Sequence, residues 1–222
     1  LTVSTSTTYD LTAREVVTLA LRRLGVLMAT EDPSSEDAAL GLMEMNVLLR
    51  SWQVSGPDLW RTSEGSLTLT ADTASFSLPA AVYRVTSCRF RRSGIDLPME
   101  LLTREEYFDL PLKTSQGTPT QYYSDVQRSG VDLYVWPVLA SVTDETIKYT
   151  YQRRFFTVET LDQTIDIPHE YLSAISWALA AALAPAFGKD DTKLLERSMM
   201  MLAQHQAADR EPVIRFVPDR RR

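Results

Sequence analysis

The chain has 222 residues of which 44% are hydrophobic, enough for one large domain or two small ones around a conventional core, and disorder of the whole is excluded. A formal charge of −6 argues against a protein whose main task is gripping duplex DNA, because that affinity comes from Lys and Arg neutralising phosphates. The imbalance is uneven: Arg210 to Arg222 holds five Arg against Glu211 and Asp219, a net of +3, so residues 1–209 carry 18 basic and 27 acidic groups, a net of −9.

Residues 1–10 read as an arm: Leu1 to Tyr9 is hydroxyl-rich and aperiodic, without the basic start and apolar run of a secretion signal. The first helix follows. Thr12 and Glu15 make a capping box, Ala13, Val17, Ala20, Leu21 and Leu24 share a face, and Gly25 supplies the stop. A turn at Glu31 to Ser35 leads to a second helix with an apolar stripe of Ala38, Leu42, Met45, Leu49 and Trp52, broken at Gly56-Pro57. Joined this closely, the two should pack as an antiparallel hairpin.

Beyond Trp60 the period becomes that of strands, with Leu67 and Leu69, then Phe76 and Leu78, on either side of a turn at Ala71-Asp72-Thr73. Val82 to Arg91 is a strand containing the lone Cys88, expected as a small buried hydrophobe in keeping with a reducing cytoplasm. Ser93-Gly94 turns the chain back through Ile95 to Leu97. Thr103 and Glu106 repeat the capping box for a short helix ending near Asp109. Gln121 to Val126 and Val131 to Trp136 form a hairpin, and Ile147, Tyr149 and Tyr151 alternate with polar residues in a further strand.

The chain is organised around Asp166 to Gly188. Pro168 suits a first helical position, Glu170 the first turn, and from Tyr171 to Phe187 only Ser173 and Ser176 are not apolar. No polar face remains, so the helix is expected to be enclosed by protein on nearly all sides; it is too short and too rich in small residues, and too interrupted by Pro185, for a membrane span. Lys189 to Thr192 starts a last helix reaching about Ala208. Pro212 to Pro218 cannot continue it, and as an extended apolar segment wants a groove or sheet edge. The fold class is α+β: an N-terminal helical hairpin, a central antiparallel β region with hairpins, C-terminal core helices and an extended tail, with 11–209 as the body and 210–222 as the basic tail.

Chemistry is sparse. No glycine spacing cradles a phosphate, and His169, His205 and Cys88 share no metal-ligand motif. The pairs Glu105-Glu106 and Asp190-Asp191 could be imagined as a glycosidase dyad, but both sit at expected helix starts, where the macrodipole already accounts for them. His169, beside Glu170, has no nucleophile tied to it and reads as a rim residue. Trp52, Trp60, Trp136 and Trp177 could stack on bases or sugars, but three of them fall in apolar stripes or strands and read as core. Catalytic, cofactor and metal residues are therefore expected to be none.

Several separate stretches carry a resemblance: Leu21-Arg22-Arg23-Leu24-Gly25-Val26-Leu27, Met45-Asn46-Val47-Leu48-Leu49-Arg50-Ser51-Trp52, Gly117-Thr118-Pro119 with Tyr122-Tyr123, Leu133-Tyr134-Val135-Trp136-Pro137, and Ile167-Pro168-His169-Glu170-Tyr171 leading to Leu183-Ala184-Pro185 and Gly188. In this order they resemble the head-to-tail connector (adaptor) proteins of tailed bacteriophages, of the podophage P22 tail accessory factor type, over roughly Thr12 to His205. Ala186-Phe187 departs from the pattern, where an acidic residue and a Tyr are expected. The resemblance implies a non-enzymatic ring, usually a homododecamer, at the head-tail interface of the virion and made in the host cytoplasm. Its partners would be the portal protein above, a downstream tail or nozzle protein below, and genomic double-stranded DNA passing through without sequence-specific binding; no membrane or cofactor is implied. The tail residues Val213, Ile214, Arg215, Phe216, Val217, Arg220, Arg221 and Arg222 would dock on the portal. A phage-borne cell-wall hydrolase and a nucleic-acid-binding module using the Arg-rich tail are the alternatives.

Overall fold

Thr12 opens the first helix as its residues demand. Its hydroxyl accepts from the Glu15 N–H, the Glu15 carboxylate accepts from the Thr12 N–H at 2.8 Å, and Gly25 closes the helix in the left-handed region at φ 74°. This is α1 (Ala13–Leu24) of a computed structural model that describes residues 9–54 and 59–208. The Gly56-Pro57 break and the tail residues 210–222 lie outside the described residues.

The chain divides into two compact units, one of the residues up to Trp60 together with those from Phe155 onward, the other Arg61–Arg154. The first is helical: α1, α2 (Ser35–Val54), α4 (Leu172–Leu183) and α5 (Thr192–Ala208). Its core joins Val16, Val17, Leu21 and Leu24 of α1 to Met45 and Leu49 of α2 and to Ile175, Leu179 and Leu183 of α4. The expected hairpin is present, and α4 packs on both of its helices. α1 and α2 approach so closely that a Cβ at Gly41 would run into the Val17 side chain.

The chain returning from the β unit is held by polar side chains of α2. Asn46 donates to the Val158 carbonyl at 2.9 Å and accepts from the Val158 N–H at 3.0 Å; Arg50 donates to the Phe155 carbonyl at 2.9 Å, and the Gln53 carbonyl oxygen accepts from the Phe155 N–H at 3.1 Å. These residues recur at four- and three-residue steps, so one helix face supplies partners to an extended backbone. Further on, the carbonyls of Leu161 and Gln163 accept from the N–H groups of Arg14 and Ala13, which as first-turn amides have no partner within α1.

The second unit contains two four-stranded sheets. One has the order β1 (Thr62–Thr68), β8 (Thr146–Arg153), β3 (Val82–Arg92), β4 (Ile95–Pro98); the other runs β2 (Ser75–Ser77), β7 (Val131–Trp136), β6 (Gln121–Val126), β5 (Glu100–Leu101). All pairings are antiparallel except β5 with β6. Phe90, Cys88 and Ile147 from one sheet share a core with Val131, Leu133 and Val135 from the other. Gly65 faces Tyr149 across β1 and β8, and a Cβ there would meet the tyrosine ring. Ser93 and Gly94 turn the β3–β4 hairpin at positive φ, and α3 (Arg104–Phe108) carries the expected capping box.

One detail of the central stretch differs from expectation. Pro168 is extended, at ψ 145°, and stands before a 3-10 turn at His169–Tyr171 rather than as the first helical residue of α4. α4 is enclosed on nearly all sides, as expected: Leu179 and Leu183 are fully buried and Ala182 is its one exposed residue, with Pro185 and Ala186 exposed in the turn that follows. By length and composition residues His169–Phe187 are apolar enough to cross a membrane, yet most of the stretch is buried among the other helices.

Candidate functional site

Of the acids that sequence inspection offers for catalysis, Glu106 and Asp190 accept from backbone N–H groups at helix starts. Glu106 accepts from the Thr103 N–H at 2.7 Å and Asp190 from the Thr192 N–H at 3.1 Å, and these bonds hold both carboxyls below their ordinary range. Glu105 occupies the same first turn of α3. Glu15, Asp96 and Glu145 are lowered as well, Glu15 and Glu145 first by backbone N–H donors and Asp96 first by Arg91. A glycosidase needs one carboxyl held protonated beside an ionised one, and every described acid with a resolved shift is displaced the other way. His169 lies 3.1 Å from the Glu170 carboxylate, and both are about half exposed. Among the described residues no group of His, Cys, Asp and Glu is arranged to hold a metal ion.

All four tryptophans are half-buried rather than core residues, Trp52 and Trp60 packing against the edge of the helical core. Trp136 donates its indole N–H to the Leu112 carbonyl at 3.0 Å, and Trp60 meets Phe155 edge to face with centroids 5.4 Å apart. Trp177, on α4, lies under Arg23 of α1 and Arg197 of α5, whose guanidinium carbons sit 4.5 and 4.4 Å from the ring centre. Arg23 also donates to the Ser173 carbonyl at 3.1 Å and to the Ser176 hydroxyl. Burial first, and Arg197 second, lower the Arg23 pKa. Sequence inspection ties Arg23 only to a motif; the contact that explains it joins residues more than 150 positions apart. Under α3 a second aromatic group stacks Tyr107, Tyr123 and Tyr134, with Lys113 5.6 Å from the Tyr107 ring.

The helical unit also keeps apolar surface open. A groove of about 370 Å³ runs over the uncovered strip of α4, walled by Leu48 and Trp52 of α2 and by Leu195 and Met199 of α5, with Ala178 and Ala182 as its floor. Leu195 and Met199 are 42% and 59% exposed, while Val47 and Val54 stand out from α2 at 59% and 71%. The eight residues assigned to portal docking, Val213 to Val217 and Arg220 to Arg222, lie outside the described residues.

The chain is thus a two-unit α+β protein whose helical unit carries an open apolar groove of the kind on which another chain can pack. More particularly, the chain belongs to the SU10 adaptor protein family, whose model matches residues 11–221. The resemblance to head-to-tail adaptors carried by the Arg22-Arg23, Asn46 and Pro168-His169 stretches is thereby shown. No curated protein matches the chain. Among solved structures, it is similar to a chain in the neck of an empty GTA particle computed with C6 symmetry, at 16% identity and a TM-score of 0.31, over 78% of this chain and 81% of that one.

Proposed function

We infer that this chain is a non-enzymatic connector that forms a ring of copies between the portal of a phage head and the next tail component, with the genome passing through the ring. The observation that carries the reading is membership of the adaptor family over nearly the whole chain. The residues are in keeping with it. A ring is built from two different complementary surfaces on each copy, and the helical and β units each present exposed apolar side chains, Val47 and Met199 on one, Leu101 and Phe108 on the other. A net charge of −9 over residues 1–209 suits a conduit that must not hold phosphate, and it weighs against the nucleic-acid-binding alternative.

In this reading residues 11–209 act as the adaptor body, and Val213 to Val217 with Arg220 to Arg222 anchor it to the portal. Val213, Ile214, Phe216 and Val217 are apolar, and Phe216 and Ile214 together would contribute roughly 3–6 kcal/mol on full burial, before ordering costs. Deleting residues 210–222 is expected to weaken attachment to portal-containing heads. A truncated chain that attaches as tightly as the full one would remove the tail from this role.

A further inference from the structure

α4 has no polar face, and the described helices cover all of it but a strip at Ala182. Between α2 and α5 an apolar groove exposes Ala182 and Pro185, and its walls carry Trp52, Leu195 and Met199. Apolar surface of this kind gains by being covered, and the sequence of the helix shows no adaptation to water along the open strip.

We propose that the groove between α2 and α5 is the docking site of the chain's own segment Val213–Val217 before the adaptor joins its partners. The proposal rests on reading that segment as a docking element, and it goes further by giving it a first occupant site within the same copy. The chain continues for 14 residues beyond Ala208, where α5, one wall of the groove, ends. Eight extended residues from Ala208 to Phe216 span up to about 26 Å. Leu195 lies thirteen helical residues back from Ala208, about 20 Å along the axis, so Phe216 can reach any part of the wall. In an extended segment Ile214 and Phe216 share one face, suited to the alanine floor, while Arg215 points the other way. Asp191, at the groove's edge, has no basic side chain within ion-pair distance among the described residues, which leaves a carboxylate for an arginine of the segment. A portal would then compete for the same apolar side chains, so the free copy would hold its anchor against its own body until the portal displaces it.

The test uses the full chain with Ala182→Cys and Phe216→Cys under mild oxidation. Cys88 does not interfere, since it is 2% exposed on β3. The expected product is a disulfide within one chain, at monomer mass and independent of protein concentration. A disulfide between chains, rising with concentration, would place the segment in a neighbouring copy and overturn the assignment, as would no disulfide at all. A second measurement avoids new cysteines: Phe216→Asp in the full chain should raise the fluorescence of a bound apolar dye several-fold by uncovering the groove, and an unchanged signal contradicts the proposal. Attachment of the same variants to portal-containing heads is scored separately. Loss of attachment without groove signals leaves the anchor role standing and removes the groove; groove signals without loss of attachment do the reverse.

Discussion

Asn46 acts as a strand partner would, offering one donor and one acceptor to the backbone of Val158. Removing its amide in Asn46→Ala leaves both backbone groups to find water in a partly buried place, and a loss of about 1–3 kcal/mol is expected in denaturant unfolding. A variant within about 0.5 kcal/mol of the parent would show that the clamp contributes little. Cys88 and Tyr122 make a prediction in pH. Burial pushes the thiol and the phenol each up to about 12, so in the folded protein both stay protonated where their unfolded counterparts have ionised. Above pH 9 the unfolded chain therefore binds fewer protons than the folded one, and stability falls as pH rises toward 12. Cys88→Ala should flatten part of that alkaline decline, measured as midpoint temperature from pH 8 to 11; an unchanged slope would mean the thiol is not protected. What was legible at this scale was whatever depends on neighbours in sequence. The capping boxes at Thr12 and Thr103 and the Ser93-Gly94 turn need only a few adjacent residues to form. The roles of Asn46 and Arg23 were hidden because their partners, Val158 and Trp177, are more than a hundred residues away.

Among the elements, α4 sets the packing of the helical unit. Leu179 is fully buried between α1 and α2 residues, so Leu179→Asp would place an unpaired charge in the core, and no soluble folded protein is expected on expression. A well-folded variant of normal stability would contradict the packing described. Gly41 makes a subtler test, because Ala is the better helix former by about 1 kcal/mol on propensity alone. The contact with Val17 reverses that gain: the added methyl must move α1 from α2 or displace Val17, and a net loss of about 1–3 kcal/mol is expected for Gly41→Ala. Stabilisation would show that the two helices yield freely. The sequence showed that α4 belongs in a core, since its apolar run is continuous. It could not show that the strip at Ala182 and Pro185 stays open, because the groove is a gap between α2 and α5, whose spacing no local pattern encodes. Pro168 misled for a related reason: proline suits both an extended residue and a first helical one, and here the 3-10 turn after it takes the extended choice.

For the molecule as a whole, the family match over residues 11–221 and the order of motifs along the chain point the same way, and both precede any chemistry. Strand pairing was only partly visible. The hairpins β3–β4 and β6–β7 follow from their turns, whereas β8 sits between β1 and β3, a placement fixed by pairings across more than 50 residues. The acidic body and the basic tail are in keeping with membership of the adaptor family. If the chain assembles on a portal, the native mass of the full chain mixed with a purified portal ring registers it directly. The expected result is a single complex in which several copies of this chain, in fixed ratio to the portal subunits, add to the portal mass. A portal that keeps its own mass at micromolar excess of the chain would contradict it.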